Sequence, residues 1–394
     1  MKTEKRDGKL YLILDRRIDA GNVSEFEREA LDALAQNPKL EPAFAAAALE
    51  YVSSAGLRVR MKFRKAAGKP LTLENASPEV YDILDTTGFT DLLNVRKRLR
   101  EISVDGCELL GEGANGAVYR LDADTIVKVC KPWMRFEDID RERQFARTAF
   151  VNGVPCVIPY DTVRVGDRFG IVFEMLKSDT LGRVMRAHPE KLEEYVDRCV
   201  ALAKTLHNTH VKPGVFADIR EVLHTRVPPL AQWCDKAELS LLYSLIDSIP
   251  DSDTLVHNDL HPGNLMIQDG ELVLIDMDRM TMGPPVCDLI ADYRALVFAP
   301  RISPEVMVRS SGLPAETIIK VGDMFFSKYT GISDAAELEA YYKKLHLLYA
   351  FDITLMLGAG VESALQRRPD ILQHLFREEV VPNEKEIRYL FANL

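Results

Sequence analysis

The stretch LVHNDLHPGNLMI, residues Leu255–Ile267, concentrates hydrogen-bonding side chains to a degree that no hydrophobic core requires. Five polar residues fall within eight positions: His257, Asn258, Asp259, His261 and Asn264. The Pro-Gly pair between the last two predicts a turn. The stretch is therefore a zinc site built on histidines, an ordinary polar loop, or a catalytic loop whose carboxylate takes part in the chemistry.

The spacing of these residues favours the catalytic loop. Zinc binding by His257 and His261, four residues apart, needs a helix that the Pro-Gly pair opposes. Phosphoryl transfer to a hydroxyl needs a carboxylate that accepts the hydroxyl proton, for which Asp259 is suited. It also needs oxygen ligands for Mg²⁺. Asn264 and Asp276, the second at the end of the apolar strand LVLID, are the predicted metal ligands.

A glycine-rich segment precedes this loop in the chain. Gly111, Gly113 and Gly116 form G-x-G-x-x-G, which occurs in dinucleotide sites, in kinase phosphate loops and in ordinary hairpin turns. A dinucleotide site needs a helix directly after the glycines. Here the β-prone segment AVYRLDADTIVKVC follows, so we predict a strand–loop–strand that covers nucleotide phosphates. The plain hairpin remains the alternative.

Two charged residues after the glycines complete a predicted nucleotide site. Lys128 lies between apolar residues on the predicted strand, so its ammonium needs an anionic partner such as the α- and β-phosphates. Glu142, in a charged helix predicted over Phe136–Phe150, is the expected ion-pair partner of Lys128. A solvated helix face is the alternative interpretation of Glu142.

Together these motifs resemble the protein-kinase-like phosphotransferases. HNDLHPGN, the Ile275-Asp276 pair and Asp288-Leu289 are most similar to the aminoglycoside phosphotransferase and choline kinase branch. The resemblance implies a two-lobed α+β fold, with an N-lobe at 107–176 and a mostly helical C-lobe at 177–394. It also implies ATP and Mg²⁺ as cofactors, with adenine held by a connecting segment that includes Glu174 and Leu176. Asp288 is expected to be structural, for example as a helix cap, and His257 to have a structural hydrogen-bonding role.

The first hundred residues have a different pattern. Predicted strands and helices alternate, which is typical of a small α/β domain. The predictions are strands at Lys9–Asp15 and Pro70–Leu73, helices at Val23–Leu34, from Ser54 onward and at Ser77–Asp85, and a basic connector at Asn94–Arg100. The segment after Ser54 alternates apolar and basic residues like a strand. The serines before it and Gly68 after it favour a helix.

This part resembles the STAS domain of sulphate transporters and anti-sigma-factor antagonists. The resemblance rests on Tyr51–Arg58 (YVSSAGLR) and covers residues 1–97, with a linker at 98–106. It implies a protein partner and makes Ser54 the candidate phosphoacceptor, because in phosphorylated members the acceptor serine opens this helix. The alternative is that Ser53 and Ser54 only cap the helix. Two departures are Ser53, where an aspartate is common, and the alanine-rich segment Ala43–Ala48.

Composition excludes several classes of function. The net charge of −10 argues against nucleic-acid binding, and the short basic cluster Arg96-Lys97-Arg98 is interpreted as a solvated face. Six scattered cysteines without a CxxC pair are typical of a reducing compartment. No stretch reaches the ~18 consecutive apolar residues of a membrane span, and no signal-peptide pattern opens the chain. We expect a cytoplasmic protein.

Two functions follow from these patterns. The first is an ATP- and Mg²⁺-dependent phosphotransferase that acts on the hydroxyl of a small molecule, with a regulatory STAS-like domain. The acidity of the chain is compatible with a cationic acceptor such as an aminoglycoside or an amino alcohol. The second is a regulatory protein kinase or ATP-sensing switch whose STAS-like domain binds a partner protein and carries phosphate on Ser54.

Overall fold

The computed structural model describes residues 2–6, 8–56, 58, 63, 71–90, 92–113 and 115–394. They form two units, Met1–Ser103 and Val104–Leu394, each with its own hydrophobic core. The division falls inside the segment 98–106 in which the sequence places a linker.

The first unit is built on a five-stranded sheet with the order β1-β2-β4-β6-β7. β1 and β2 form an antiparallel hairpin, and the other neighbours are parallel. Parallel neighbours need crossover connections. Two of these contain the helices Val23–Gln36 and Pro78–Thr86. The strands of this unit are β1 Lys2–Arg6, β2 Lys9–Ile13, β3 Arg17–Ile18, β4 Glu41–Ala45, β5 Tyr51–Val52, β6 Thr72–Ala76, β7 Asn94–Lys97 and β8 Arg100–Glu101.

Several local predictions for this unit are confirmed. The strand at Lys9 and the helix at Val23 agree to within two residues at their ends. The Ser77 side chain accepts the N–H of Val80, with proline in the first turn, as the sequence predicts. Residues 54–56, 58 and 63 are helical. The other positions of that predicted helix, and Pro70 of the predicted strand, lie outside the described residues.

Other predictions for this unit are wrong. The basic segment interpreted as a connector includes β7, which pairs in parallel with β6. The predicted strand Pro70–Leu73 is shifted, because β6 runs from Thr72 to Ala76. The alanine-rich segment, for which the sequence analysis predicts no element, contributes β4, which lies between β2 and β6, where Phe44 is buried in the main core. Alanine is a weak strand former, so tertiary packing overrides local preference here.

The second unit begins with five antiparallel strands in the order β12-β13-β11-β10-β9. The helix Phe136–Val151 packs against β12 and β13, and Ile139, Ala146 and Ala149 are buried in the core. The predicted glycine hairpin and charged helix are thus present. The strands are β9 Leu109–Glu112, β10 Gly116–Arg120, β11 Thr125–Cys130, β12 Pro159–Val165 and β13 Arg168–Glu174.

The rest of the second unit is mostly helical, as predicted. Its two small strand pairs are β14 Leu255–Val256 with β17 Thr281–Met282, and β15 Leu265–Gln268 with β16 Glu271–Leu274. The α-helices are Leu181–Ala187, Leu192–His207, Ile219–Arg226, Lys236–Ile246, Val286–Asp292, Ala299–Ile302, Pro304–Ser311, Ala315–Thr330, Ala335–Gly358, Glu362–Gln366, Arg368–Asp370 and Glu384–Asn393. Wider helical turns cover Tyr293–Phe298 and Ile371–Val380, and short 3₁₀ turns cover Pro189–Lys191, Pro228–Gln232, Pro262–Asn264 and Val381–Asn383. Within the part of the chain described here, no helix has the length and apolarity that a membrane crossing requires.

Candidate active site

The loop at residues 257–264 is anchored at both ends by strands. β14 leads into it and pairs with β17, and β15 leaves it and pairs with β16. Between them, Pro262–Asn264 form one short 3₁₀ turn. His257 and His261 therefore do not share a helix, which removes the geometry that a histidine zinc pair would need.

A buried carboxylate fixes the start of this loop. The Asp288 oxygens accept the backbone N–H groups of His257, at 2.9 Å, and of Asn258, and they also contact the His207 Nε2 at 3.0 Å. Asp288 is fully buried. The suggestion that it caps a helix is wrong, because Pro285 precedes its helix and no side chain caps that end. Asp288 instead positions the loop backbone.

His257 differs from the sequence-based expectation. Its ring is fully buried, and within the described ranges neither ring nitrogen has a hydrogen-bond partner. Only its backbone N–H is bonded, to Asp288. The structural hydrogen-bonding role therefore belongs to the backbone of this residue and not to its side chain.

Asn258 adopts a conformation that few residues tolerate. Its φ of 61° is in the left-handed region, which asparagine enters more readily than most residues. Its Nδ2 donates to the Arg279 carbonyl and to the Thr281 hydroxyl, both at 2.9 Å. These bonds tie the loop to the segment that follows Asp276.

Asp259 and Asn264 are held together across the turn. The Asn264 Nδ2 donates to the Asp259 carbonyl at 3.0 Å, and the Asn264 carbonyl accepts the N–H of Ile275 at 3.0 Å. The loop and the end of β16 are thus one bonded unit, which brings Asp276 to the same place. The three residues that the sequence spacing grouped together, Asp259, Asn264 and Asp276, are therefore close together in the structure.

The Asp259 carboxylate lies among positive charges. Its oxygens are 3.6 Å from the Arg294 Nη2 and 4.0 Å from the Arg279 Nη1. Burial alone would raise the pKa of Asp259, but His261, Arg279 and Arg294 together lower it below the usual value. Burial also lowers the pKa of His261, so the two arginines supply the positive charge at neutral pH. Asp259 is therefore ionised and able to accept a proton.

The predicted ion pair between Lys128 and Glu142 is present. The Lys128 Nζ lies 2.8 Å from the Glu142 Oε1 and 2.6 Å from the Asp276 Oδ1. Burial would lower the pKa of Lys128, but the two carboxylates raise it above the usual range, so the ammonium stays charged. Burial raises the pKa of Glu142 against the opposing charge of Lys128. Lys128 thus links the β-sheet, the helix and the carboxylate at the end of β16.

Asp278 is a site residue that the sequence interpretation left without a role. Its Oδ2 accepts the side-chain amide of Asn115 in the glycine loop at 2.8 Å. Burial and the negative charge of Asp276 raise the pKa of Asp278 to about 6. The D-x-D spacing of the two carboxylates was the signal that could have identified it.

The oxygen-rich end of the site fits a divalent cation. Asp276 and Asp278 are close enough for one charge to raise the other's pKa, and Asn264 joins them through the Ile275 backbone bond. Carboxylate and amide oxygens are the ligands that Mg²⁺ prefers. The described residues contain no group of three or more His, Cys, Asp or Glu side chains arranged around a metal. A magnesium ion here would need the amide and nucleotide phosphates as further ligands.

The three loop glycines have different surroundings. A Cβ on Gly111 or Gly113 would meet nothing within 4 Å. A Cβ on Gly116 would lie 2.4 Å from the Val129 carbonyl oxygen, on the neighbouring strand. Gly111 and Gly113 therefore face open space, whereas Gly116 is needed for the approach of β10 to β11.

The predicted adenine segment includes the last residue of β13, Glu174, and the residues that follow it. The Glu174 Oε1 accepts the N–H of Ile158 at 2.8 Å, so this carboxylate is used inside the protein. The Leu176 side chain is buried in the core of the second unit. Any contact of these two residues with adenine would thus involve backbone groups at Glu174 and apolar surface at Leu176.

Ser53 and Ser54 in the first unit also have different surroundings. The Ser53 Oγ accepts the N–H of Gly56 at 3.3 Å, as a capping residue does. Ser54, the next residue, is exposed at the start of the helical residues. The capping explanation therefore applies to Ser53.

The fold and the site define a kinase-type phosphotransferase. Residues 106–308, just over half of the chain, match the family described as "Phosphotransferase enzyme family", and the chain belongs to that family. Residues 1–102 match the STAS domain. No curated protein matches the chain in sequence.

Solved structures with a similar fold have low sequence identity to the chain. The gentamicin complex of the aminoglycoside phosphotransferase APH(2'')-IIa is 17% identical, with a TM-score of 0.45, over 76% of this chain and 97% of its own. A choline/ethanolamine kinase family protein from Mesorhizobium loti is 14% identical, with a TM-score of 0.44, over 72% and 92%. ADP-bound APH(2'')-Ib is 16% identical, with a TM-score of 0.41, over 72% and 91%.

Proposed function

We propose that the second unit transfers the γ-phosphoryl group of ATP to a hydroxyl group of a small molecule, with Mg²⁺ as cofactor. The acceptor oxygen attacks the γ-phosphorus, the bond from phosphorus to the ADP oxygen breaks, and the hydroxyl proton passes to Asp259. The products are ADP and a phosphate monoester. The catalytic carboxylate accepts the proton in its ionised form, as the low pKa of Asp259 allows.

The observation that carries this proposal is the set of bonds that joins Lys128, Asp276 and the loop. Lys128 contacts Asp276, the residue before Asp276 is bonded to Asn264, and Asn264 is bonded to Asp259. The ammonium group of Lys128, the proposed phosphate ligand, and the proton acceptor Asp259 are thereby held at fixed positions relative to each other, which phosphoryl transfer requires. An ordinary polar loop would not need that relation.

Each remaining residue has a proposed role. Lys128, oriented by Glu142, binds phosphate oxygens, while Asn264 and Asp276 bind Mg²⁺. The metal supplies charge neutralisation of the phosphates when it is bound. Gly111 and Gly113 give the backbone access to the phosphates, and Glu174 with Leu176 borders adenine.

The test is the substitution Asp259→Asn. We expect kcat to fall by ~10²- to 10⁴-fold, the usual contribution of a general base, while binding of Mg²⁺-nucleotide is retained. The matched control is Asp253→Asn, an exposed carboxylate six residues earlier that contacts His210. ADP release with a panel of hydroxyl compounds, and nucleotide binding by calorimetry, are the measurements. Unchanged turnover by Asp259→Asn would refute the assignment.

A second role is supported for the first unit. We propose that it binds a partner protein and that a phosphate on Ser54 controls this contact. The exposure of Ser54, while Ser53 makes the capping bond, supports the proposal. A phosphate there would interact favourably with the helix N-terminus.

Phosphate mapping tests this second role. The chain is incubated with ATP and Mg²⁺, and the modified residues are identified by mass spectrometry. We expect phosphate on Ser54 and none there in Ser54→Ala, with Ser53→Ala as the neighbouring control. Phosphate that is confined to other residues would contradict the proposal.

A further inference from the structure

A cavity of about 340 Å³ lies beside the loop that carries Asp259. One wall is formed by the helix Phe136–Val151, and the opposite wall by helices of the C-terminal part. Asn258, which belongs to that loop, and Arg294, which contacts Asp259, are among its lining residues. Its size fits a small molecule.

Four arginines line this cavity: Arg141, Arg226, Arg279 and Arg294. Arg141 pairs with Asp138, and the other three form the arginine end of the cavity. Asp259 and Asp352 are the carboxylates that contact them. Arg294 lies 3.6 Å from Asp259 and 3.4 Å from Asp352, and Arg226 lies 3.9 Å from Asp352. These three guanidinium groups thus share two carboxylates within 4 Å. The other lining carboxylates, Asp138, Glu142 and Asp278, contact Arg141, Lys128 and Asn115.

The geometry of these contacts is loose. Arg220, in the same helix as Arg226, bonds Asp218 at 2.7 and 3.0 Å, which is the usual bidentate arrangement. Arg226, Arg279 and Arg294 are instead 3.4 to 4.0 Å from their carboxylates. They retain donor capacity for another oxygen ligand.

The surroundings of Arg226 increase its demand for an anion. Burial lowers its pKa, and the positive charges of Arg279 and Arg294 lower it further. Apolar side chains, Phe351 and Met356 among them, form much of the wall, so electrostatic attraction is stronger here than at the surface. The backbone at Arg226 is fixed, because a Cβ on Gly358 would lie 1.6 Å from its carbonyl oxygen.

The contacts order these groups along the cavity. Asp259 contacts Arg294, Arg294 contacts Asp352, and Asp352 contacts Arg226. A bound molecule can therefore direct its hydroxyl to Asp259 while a second group reaches the arginines. The chemistry at the arginine end selects oxygen anions, because guanidinium matches carboxylate and phosphate.

We propose that this cavity holds the phosphate acceptor and that the acceptor carries a carboxylate or phosphate group, bound by Arg226 and Arg294. The inference rests on the proposed function and adds the substrate class. It differs from the cationic acceptor with which the acidity of the whole chain is compatible, because an acceptor in this cavity meets the arginine end.

The first test is anion binding with the nucleotide site filled. The full chain is saturated with Mg²⁺ and a non-hydrolysable ATP analogue and titrated calorimetrically with citrate and with inorganic phosphate. We expect saturable binding, weakened about 10- to 100-fold by Arg226→Gln, the effect of one lost charge-assisted hydrogen bond. Arg226→Lys should restore part of the affinity. The exposed Arg183→Gln, whose partner is Asp179, is the control for a lost surface charge.

The outcomes separate the two proposals. Absence of saturable anion binding, or binding that Arg226→Gln leaves unchanged, overturns the inference. If the wild-type chain fails to bind Mg²⁺-nucleotide, the proposed function is refuted instead. The comparison of wild type with Arg226→Gln then still reports on the arginines, because Arg226 has no role in the nucleotide site.

The second test is turnover of matched three-carbon alcohols. The compounds are 3-hydroxypropanoate, glycerol 3-phosphate, 1,3-propanediol and 3-aminopropan-1-ol, with product identified by mass spectrometry. We expect a higher kcat/KM for the anionic compounds, and their relative values decide between carboxylate and phosphate. Arg226→Gln should raise the KM for the anionic compounds. The inference is overturned if the anionic compounds are not preferred.

Discussion

Replacing each loop glycine by alanine should separate two roles that the sequence motif combines. The Cβ of Gly116→Ala would lie 2.4 Å from the Val129 carbonyl oxygen and 3.1 Å from its carbon. Both are backbone atoms of β11, and Gly116 is directly opposite Cys130 in the register. The strands would have to move apart by roughly 1 Å, since overpacked contacts are relieved by backbone shifts.

The expected cost of this shift is about 1 to 3 kcal/mol in the free energy of unfolding. It would also disturb the bond from the Lys131 N–H to the Asn115 carbonyl, now 3.0 Å long. Gly111 and Gly113 have open space and no positive φ, so alanine should fit at both positions. Their variants should be as stable as the wild type or up to ~1 kcal/mol more stable, because alanine restricts the unfolded chain.

The effects on nucleotide affinity should have the opposite order, with alanine at Gly111 or Gly113 more damaging than alanine at Gly116. A methyl group on Gly111 or Gly113 would occupy the space through which the backbone reaches the phosphates. We expect the KM for ATP to rise about tenfold in these variants, the equivalent of one hydrogen bond of ~1.4 kcal/mol. Each variant thus serves as the control for the others.

Urea unfolding followed by circular dichroism, with and without Mg²⁺-ATP, is the assay. Because the chain has two units, unfolding need not be two-state, and the relevant transition is the one that nucleotide shifts. The reasoning would be refuted if Gly116→Ala were as stable as the wild type, or if Gly111→Ala lost several kcal/mol.

Three further predictions concern buried or paired charges. Asp288→Asn should lower the free energy of unfolding by about 2 to 4 kcal/mol and reduce kcat. The reason is that one amide oxygen cannot replace a carboxylate that accepts two backbone N–H groups. Equal urea midpoints of the variant and the wild type would contradict this prediction. Burial and the nearby carboxylates raise the pKa of Asp292 well above 3.8, so its destabilising effect is absent below that pH and grows as pH rises towards the folded-state pKa. Asp292→Asn should therefore unfold at a higher urea concentration than the wild type at pH 8 and at the same concentration at pH 4, whereas an equal change at both pH values would exclude this cause. Arg294→Gln removes a positive charge that lowers the pKa of Asp259, so the fall of kcat/KM on the acidic side of the pH profile should move to higher pH. If this part of the profile does not move, Asp259 does not control it.

The sequence predicted the parts of the site that are local in the chain. The strand–glycine–strand hairpin, the five-residue step from Asp259 to Asn264 and the Ser77-Pro78 helix start each depend on turn and capping chemistry within a few residues. The pairing of Lys128 with Glu142 followed from the order of the motifs. Such patterns are readable because short-range geometry restricts which residues can occupy them.

The strands that the sequence analysis missed have a common physical cause. β4 is a strand because β2 and β6 pair with it on both sides, although its alanines favour other structures. β7 was interpreted as a connector because its charged residues lack the alternation of a half-buried strand. In both cases the hydrogen bonds come from segments remote in the chain, which leave no periodic signal in the strand itself.

The sequence by itself thus determined the order of the two domains and the candidate residues for phosphoryl transfer. Only the tertiary structure decided that Asp288 holds the loop backbone, that Gly116 serves strand packing, and that arginines from three separate segments meet beside Asp259. The net charge of the whole chain is negative. The electric field inside a cavity depends instead on which side chains the fold brings within a few ångströms.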